Sequence, residues 1–320
     1  MQHKVLVLFN TIDSGFEEIN NRYEVTHPAP GHYFTPGELD ALPHDYDILV
    51  PEFTIPVTAA LIDRYPNLKL IANYGVGYNN IDIAYAHSKG ITVTNTPHSV
   101  TVPTAEHTLA LLLSCTRRIA EWDRHMRRTR QNDKQISGNG LGCDLYGKTL
   151  GIIGLGQIGS AVARLAQAFG MRVLYNKRTR LSERDEAARA LTYAPLEALL
   201  AQSDVVSLHT PYTPASHHLI NKETLAQMKP GAILINASRG KVVDEEALVE
   251  ALTHGTLRAA GLDVFEHQDE PLPELYALEN VTIAPHVGTH TYECRTSMAR
   301  EVCRNILGFT QGVGPESVVR

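Results

Sequence analysis

The two side chains best placed to do chemistry in this chain are an arginine and a histidine, each just past an apolar run of strand length. Arg239 stands in Asn236-Ala237-Ser238-Arg239-Gly240, and His286 in Ala284-Pro285-His286-Val287-Gly288. A guanidinium so placed can grip a carboxylate and polarise a neighbouring carbonyl through paired hydrogen bonds. An imidazole is the natural proton donor, near neutral pH, to a carbonyl oxygen that is gaining electrons. Taken singly, any of the 15 histidines is structural or exposed before it is catalytic, so it is position that lifts His286 above the rest. Between these segments lies a third, Gly261-Leu262-Asp263-Val264-Phe265-Glu266-His267-Gln268-Asp269-Glu270-Pro271. All three follow late strands, and ligands of open α/β sheets bind at the carboxyl ends of strands.

The elements that must position these groups centre on Thr149-Leu150-Gly151-Ile152-Ile153-Gly154-Leu155-Gly156-Gln157-Ile158-Gly159. A short apolar strand here runs into a G-x-G-x-x-G turn, and the Ala-rich segment 160–169 continues at helical spacing. Gly154 allows the tight turn, Gly156 lets backbone N–H groups approach a pyrophosphate, and Gly159 lets helix and strand pack closely. The amides of Gln157 and Ile158 stand where the helix N-terminus supplies partial positive charge. With a second strand at 172–175, the unit reads as a dinucleotide site, the alternative being a purely structural turn. No carboxylate follows that second strand to bind a ribose diol. The chain continues Asn176-Lys177-Arg178-Thr179-Arg180, in which Lys177 and Arg178 can neutralise a 2′-phosphate and Thr179 can donate to it. The expected cofactor is therefore NADP(H), with NAD possible, against the alternative of a basic surface turn.

Further apolar runs at 149–153, 172–175, 204–208, 232–236, 259–263 and 281–284 alternate with helical segments, which predicts a doubly wound sheet of six strands. Asp244 can cap the helix that follows it, and Gly255 can close that helix. Upstream, runs at 4–8, 47–50, 68–72 and 91–93 predict a smaller α/β unit with no glycine-rich turn after its first strand. In the stretch Asn73-Tyr74-Gly75-Val76-Gly77-Tyr78-Asn79-Asn80-Ile81-Asp82, two glycines flank Val76. They could let N–H groups converge on a carboxylate, or merely supply positive φ. Pro103-Thr104-Ala105-Glu106-His107-Thr108 opens a long apolar helix, expected to be buried between domains. Residues 131–147 read as an extended loop or arm, and a final helix is expected over about 291–307. The predicted domains are 1–98 with 288–320, discontinuous, and 99–287.

Bulk properties exclude other classes. The 320 residues suggest about two domains, and 43% hydrophobic with 20% charged residues is ordinary for a soluble globular protein. A net charge of −6 leaves no footprint for nucleic acid or an anionic membrane. The one dense basic run, 124–130, reads as a solvated helix end. Cys115, Cys143, Cys294 and Cys303 lack C-x-x-C or zinc spacing, no metal site is expected, and no signal peptide is seen, which reads as free thiols in a reducing cytoplasm. No apolar run is long enough to span a membrane.

Across most of its length, and in the right order, the chain resembles the D-isomer-specific 2-hydroxyacid dehydrogenase family, nearest its glyoxylate/hydroxypyruvate reductase branch. The motifs that carry this are 73–82, Ala105-Glu106-His107-Thr108, 151–159, His209-Thr210-Pro211, 228–244, Leu262-Asp263-Val264-Phe265 and Pro285-His286-Val287-Gly288. The resemblance implies reduction of a small 2-oxo acid to an (R)-2-hydroxy acid. It also implies a nucleotide domain and a flavodoxin-like substrate domain that close over the substrate, and a homodimer built through 118–147. Val76 and Gly77 would present amides to the substrate carboxylate, Arg239 would bind carboxylate and keto oxygen, and His286 would donate the proton. Asp263 would hold the nicotinamide carboxamide, Thr104 would contact the cofactor near that end, and Ala237, Ser238 and Gly288 would also bind the cofactor. His209, Thr210 and Pro211 would line the adenosine pocket.

One departure stands out. The glutamate that usually pairs with the catalytic histidine is replaced by Gln268, unless a two-residue insertion moves its role to Glu270. The 23 residues from Asp263 to His286 fit the branch without a gap, which favours Gln268. A neutral partner would not stabilise an imidazolium by charge, so reduction should fall off at a lower pH than in glutamate-bearing relatives. Glutamine at this position also raises formate or phosphite oxidation as an alternative activity. A dinucleotide-sensing protein of the corepressor type is a further alternative from another class. Substrate selectivity is expected from Glu52, Phe53 and Tyr74, with Tyr292 a weaker candidate; glyoxylate, hydroxypyruvate or something bulkier could fit.

Overall fold

The computed structural model describes residues 3–10, 12, 14–29, 32–130, 140–268 and 270–319. The chain forms two compact units, Met1–Val100 with Thr289–Arg320, and Thr101–Gly288.

In the first unit, short aliphatic runs buried on both faces make a parallel sheet. Its strands are β1 (Lys4–Val7), β2 (Glu24–Thr26), β3 (Ile48–Val50), β4 (Leu70–Ala72) and β5 (Thr92–Thr94), in the order β2-β1-β3-β4-β5. Leu6, Leu49, Ile71 and Val93 form its core, as the near-continuous hydrophobicity of parallel strands requires. The last helix, Tyr292–Thr310, starts on a Thr291 cap that accepts the Cys294 N–H at 3.1 Å, and it packs on β4. Its buried Glu301 accepts the N–H groups of His98 (3.3 Å) and Ser99 (3.0 Å), so the carboxylate is not left unsatisfied. Beyond it Val318 bridges Thr94, which ties the chain end to the same sheet. β2 is an addition to the sequence-based expectation: three half-exposed residues at the sheet edge carry too little apolar signal to be read.

The second unit holds a seven-stranded parallel sheet. Its strands are β6 (Thr149–Ile153), β7 (Arg172–Asn176), β8 (Leu191–Tyr193), β9 (Val205–Leu208), β10 (Ala232–Asn236), β11 (Leu257–Leu262) and β12 (Val281–Ile283). Their order is β12-β11-β10-β9-β6-β7-β8, so the chain moves outward from β6 and then returns to β9 on β6's other side. The crevice between β6 and β9 is the switch point at which such sheets bind dinucleotides. β8, a three-residue edge strand, makes the sheet one strand wider than the six expected.

Helices Thr101–Arg117 and Gln157–Ala168 cover one face through Leu109, Leu112, Val162 and Ala166. Helices Leu196–Gln202 and Glu245–Thr253 cover the other through Leu199, Leu200, Leu248 and Leu252. The long helix begins at Thr101, two residues before Pro103, which still lies in its first turn. Asp244 caps its helix by accepting the Ala247 N–H at 3.0 Å, and Gly255 follows at φ 73°. The four cysteines are unpaired thiols, and among the described residues no His, Cys, Asp and Glu group could hold a metal. Among the same residues no helix is long and apolar enough to cross a membrane. Residues 131–139 of the expected arm lie outside the described residues.

Candidate active site

The glycine turn has the geometry that a pyrophosphate needs. Gly154 sits at φ 96°, and a Cβ there would fall 2.6 Å from the carbonyl carbon of His209. At Gly159 a Cβ would fall 2.4 Å from the carbonyl oxygen of Gly154, so helix and strand meet only because both side chains are absent. Gly156 differs: a Cβ there would meet nothing within 4 Å. Glycine at 156 therefore keeps open a space that the protein itself does not fill. Gly156 is also the N-cap of helix Gln157–Ala168 and offers no side-chain acceptor, leaving the first-turn amides of Gln157, Ile158 and Gly159 for an anion. The Gln157 side chain accepts from Thr101 at 3.2 Å and turns its amide oxygen to the long helix. A dinucleotide fits this cradle.

At the end of β7 the Asn176 amide donates to the carbonyl of Ala194 at 3.0 Å, so its side chain is a structural tie between strands. That corrects the expectation that Asn176 reaches a ligand. Lys177 is half-buried and Arg178 and Thr179 are exposed, and among the described residues neither cation forms a salt bridge. The nearby acid, Glu186, is fully engaged. It takes two hydrogen bonds of 2.8 Å from Arg180 and one of 2.6 Å from Tyr175, and these hold its carboxyl down at about 2. So the strand end carries two uncommitted positive charges and no free carboxylate.

His209, beside Gly154, has its Nε2 2.8 Å from Ser207 Oγ, and burial pulls its pKa down to about 4. It is a neutral imidazole at neutral pH. Thr210 is half-buried next to it, and the carbonyl of Pro211 accepts from Ser216 at 2.9 Å.

Arg239 is positioned by a residue to which sequence reasoning gave no role. The amide oxygen of buried Asn236 accepts both the N–H (3.1 Å) and the hydroxyl (2.9 Å) of Ser238, while its NH₂ donates to the carbonyl of Arg239 at 3.0 Å. One side chain thereby closes the whole 236–239 turn, with Ala237 half-buried at its tip. The guanidinium donates to the carbonyl of Ser238 at 2.6 Å and, among the described residues, meets no carboxylate. Burial lowers its pKa, yet a guanidinium stays charged, so this is a partly desolvated cation awaiting an anion.

His286 has φ 58°, an unusual conformation for a residue with a side chain. What holds it is Asp263, whose carboxylate is 2% exposed. One oxygen accepts the Val287 N–H at 2.8 Å and the other the Gly288 N–H at 2.9 Å, which pins the two residues after the histidine. A third group approaches from helix Thr101–Arg117: His107 Nε2 lies 3.1 Å from Asp263 Oδ1. Thr104, one turn earlier on that helix, is buried, and its methyl lies 3.6 Å from where a Cβ on Gly288 would be. The structure thus brings Asp263, His286, Gly288 and Thr104 into one cluster. Gln268 is exposed, and its Oε1 accepts the Phe265 N–H at 3.3 Å; Glu270 is exposed as well.

In the first unit the loop after β4 resolves the two readings of its glycines. Neither Gly75 nor Gly77 has positive φ. Instead its carbonyls are tied back: Asn73 donates to those of Gly75 (3.1 Å) and Gly77 (2.8 Å), and Asn95 to that of Val76 (2.8 Å). The N–H groups of Val76 and Gly77 meet no acceptor among the described residues. With the carbonyls engaged and these amides left without an acceptor, the loop has donors that an anion could take. Asn73 and Asn95 shape this loop, and only their polarity beside apolar strands hinted at them.

Tyr74, expected to face a substrate, belongs to the interior instead. It is fully buried, its ring centroid lies 4.8 Å from that of Phe9, and its hydroxyl donates to the Arg295 carbonyl at 2.7 Å. A large apolar ring gains more by joining the core than by lining a loop. Glu52 is also buried and accepts from Tyr33 (3.2 Å) and Thr54 (3.0 Å); Phe53 is half-buried and Tyr292 is 64% exposed.

A cavity of about 850 Å³ in the second unit is lined by Ser114, Arg118, Arg258, Asn280 and others, at the amino ends of β11 and β12. It contains none of the predicted site residues, and it lies at the opposite strand ends from the ligand side.

A parallel sheet whose glycine turn leaves open space at the switch point has the architecture of a nicotinamide-dependent oxidoreductase. Residues 109–288 match the family model described as "D-isomer specific 2-hydroxyacid dehydrogenase, NAD binding domain". The chain belongs to the D-isomer-specific 2-hydroxyacid dehydrogenase family. It is 42% identical over 322 residues to a glyoxylate reductase of Thermococcus onnurineus (strain NA1), covering all of this chain and 96% of that one. A solved structure of a Thermus thermophilus protein matches at TM-score 0.90 and 40% identity, covering 99% of this chain and 100% of the other. An NADPH-dependent glyoxylate/hydroxypyruvate reductase from Sinorhizobium meliloti, solved with NADP and malonate, matches at TM-score 0.86 and 29% identity. That match covers 100% of this chain and 97% of the other.

Proposed function

We propose that the protein reduces small 2-oxo acids, glyoxylate and hydroxypyruvate foremost, to (R)-2-hydroxy acids, with NADPH as the preferred reductant. The observation that carries this is Arg239: a partly desolvated guanidinium with no carboxylate partner among the described residues, in the same unit as the dinucleotide cradle and His286. The bound nicotinamide supplies a hydride to the keto carbon. Arg239 holds the substrate carboxylate and keto oxygen through its donor fork, and His286 gives its proton to that oxygen. The Val76 and Gly77 amides are the second carboxylate ligand. Orientation and charge stabilisation by these groups account for much of the rate.

The amides of 157–159 would hold the phosphates, with Gly156 leaving them room, and Lys177, Arg178 and Thr179 would take the 2′-phosphate. His209, Thr210 and Pro211 would border the adenosine. Thr104, Ala237, Ser238, Asp263 and Gly288 would border the nicotinamide end. The two free cations at the end of β7, and the engagement of Glu186 elsewhere, support NADP(H) over NAD(H). The working assembly is a homodimer. Helix Ile119–Thr129 supports this, since it buries none of its residues and leaves Ile119 57% and Met126 51% exposed.

A panel of 2-oxo acids, including a bulky one such as phenylpyruvate, assayed with NADPH and with NADH tests the reading. Turnover of glyoxylate or hydroxypyruvate with NADPH is expected. Tight cofactor binding without turnover of any 2-oxo acid would instead favour a dinucleotide-sensing protein, and formate or phosphite oxidation would favour the activity that Gln268 suggests.

A further inference from the structure

His107 lies outside the roles assigned so far, yet it meets the most enclosed carboxylate of the cluster. It projects from helix Thr101–Arg117 with its side chain 20% exposed, and its Nε2 stands 3.1 Å from Asp263 Oδ1. The approach falls outside hydrogen-bond geometry, and that nitrogen has no hydrogen-bond partner among the described residues. The contact is an ion pair only when the imidazole is protonated. Asp263 has already committed both oxygens to the Val287 and Gly288 amides, so its anionic form is held in place whatever His107 does.

Asp263 follows β11, on the side of the switch point away from the basic end of β7, where the half of a dinucleotide remote from adenosine must lie. That half carries a full positive charge on its ring when oxidised and none when reduced. A buried carboxylate beside it favours the oxidised form, and a cation paired with that carboxylate cancels the preference.

We propose that His107 sets the balance between oxidised and reduced cofactor, its protonated form screening Asp263 and shifting binding toward the reduced form. This rests on the dinucleotide reading above and deepens it. Among the described residues of this unit, the ionisable groups around His107 are few. From its own helix there is Glu106, which is exposed; beyond β11, Asp263; beyond β12, His286; and beyond β10, Arg239. Among the described residues, helix Gln157–Ala168 carries one ionisable side chain, the exposed Arg164, and the charges of helix Ile119–Thr129 lie at the far end of the long helix.

The test is equilibrium binding of NADP⁺ and NADPH to the whole protein, read by fluorescence or calorimetry between about pH 5.5 and pH 8.5. The ratio of the two dissociation constants is expected to move on the order of threefold to tenfold toward NADPH as pH falls. His107→Gln is expected to flatten that dependence. A ratio independent of pH in the unmutated protein overturns the proposal without any variant, as does a dependence that survives in His107→Gln. If neither nucleotide binds at any pH, the dinucleotide reading itself falls and takes this one with it.

Discussion

Gly240 and Phe265 meet backbone to backbone: a Cβ on Gly240 would lie 1.7 Å from the carbonyl oxygen of Phe265. This contact locks the segment carrying Arg239 against the loop that runs from Asp263 to Gln268, so two groups of the proposed site are registered by main chain. Gly240→Ala must push those segments apart and is expected to cost about 3 kcal/mol or more, seen as a lower unfolding midpoint. A midpoint within error of the unmutated protein would show that the contact yields easily.

Gly156→Ala should behave in the opposite way. Its Cβ meets nothing in the protein, so thermal stability is expected to hold while NADPH affinity falls about tenfold or more. Nucleotide titration beside a melting curve separates the two effects. Unchanged affinity would remove the pyrophosphate from this turn.

The cations after β7 predict a selective loss. Replacing Lys177 and Arg178 together by alanine should weaken NADPH binding about tenfold to a hundredfold and leave NADH nearly untouched. Tighter binding of NADH than NADPH by the unmutated protein would already sink the preference.

Arg239→Ala should lower kcat/KM on glyoxylate by about a thousandfold, because carboxylate grip and carbonyl polarisation vanish together. Arg239→Lys should recover only part of this, since a point charge lacks the planar fork. Near-normal kcat/KM in the alanine variant would refute the assignment.

An uncharged Gln268 cannot stabilise an imidazolium by charge. If it stands beside His286 as the chain spacing suggests, Gln268→Glu should move the alkaline limb of kcat/KM upward by about one pH unit. A pH–rate profile that stays in place excludes Gln268 as the partner of His286.

His209 links the nucleotide turn to acid stability. Burial lowers its pKa from 6.5 to about 4, so the folded protein refuses a proton that the unfolded chain accepts. Its contribution is complete above the unfolded value and is lost as pH falls from about 6.5 to below about 4, on the order of 3 kcal/mol in all. Denaturant midpoints across this range should show a slope that His209→Gln reduces. An identical slope in both proteins would assign the acid sensitivity to other groups.

Much of this was legible in the chain because it is periodic or stereotyped. The two parallel sheets follow from short aliphatic runs, as at Ile48–Val50 and Ala232–Asn236, buried on both faces and separated by helix-length segments. Gly154 and Gly159 have no room for a Cβ, as their spacing suggests, whereas a Cβ on Gly156 would meet nothing in the protein. Edge strands β2 and β8 escaped because a three-residue strand leaves no period to detect.

What the amino-acid order determined alone was therefore the local conformations and the order of strands and turns, since these depend on near neighbours and on hydrophobic period. Tertiary structure alone decided which polar groups were spent and which were left over. Asn176 is consumed by Ala194 and Tyr74 by the core, whereas Lys177 and Arg239 have no carboxylate partner among the described residues. Asp263 meets His107 across 156 positions of chain and braces the turn of His286 at φ 58°. Such pairings are set by the packing of distant segments, and no spacing along the chain encodes them.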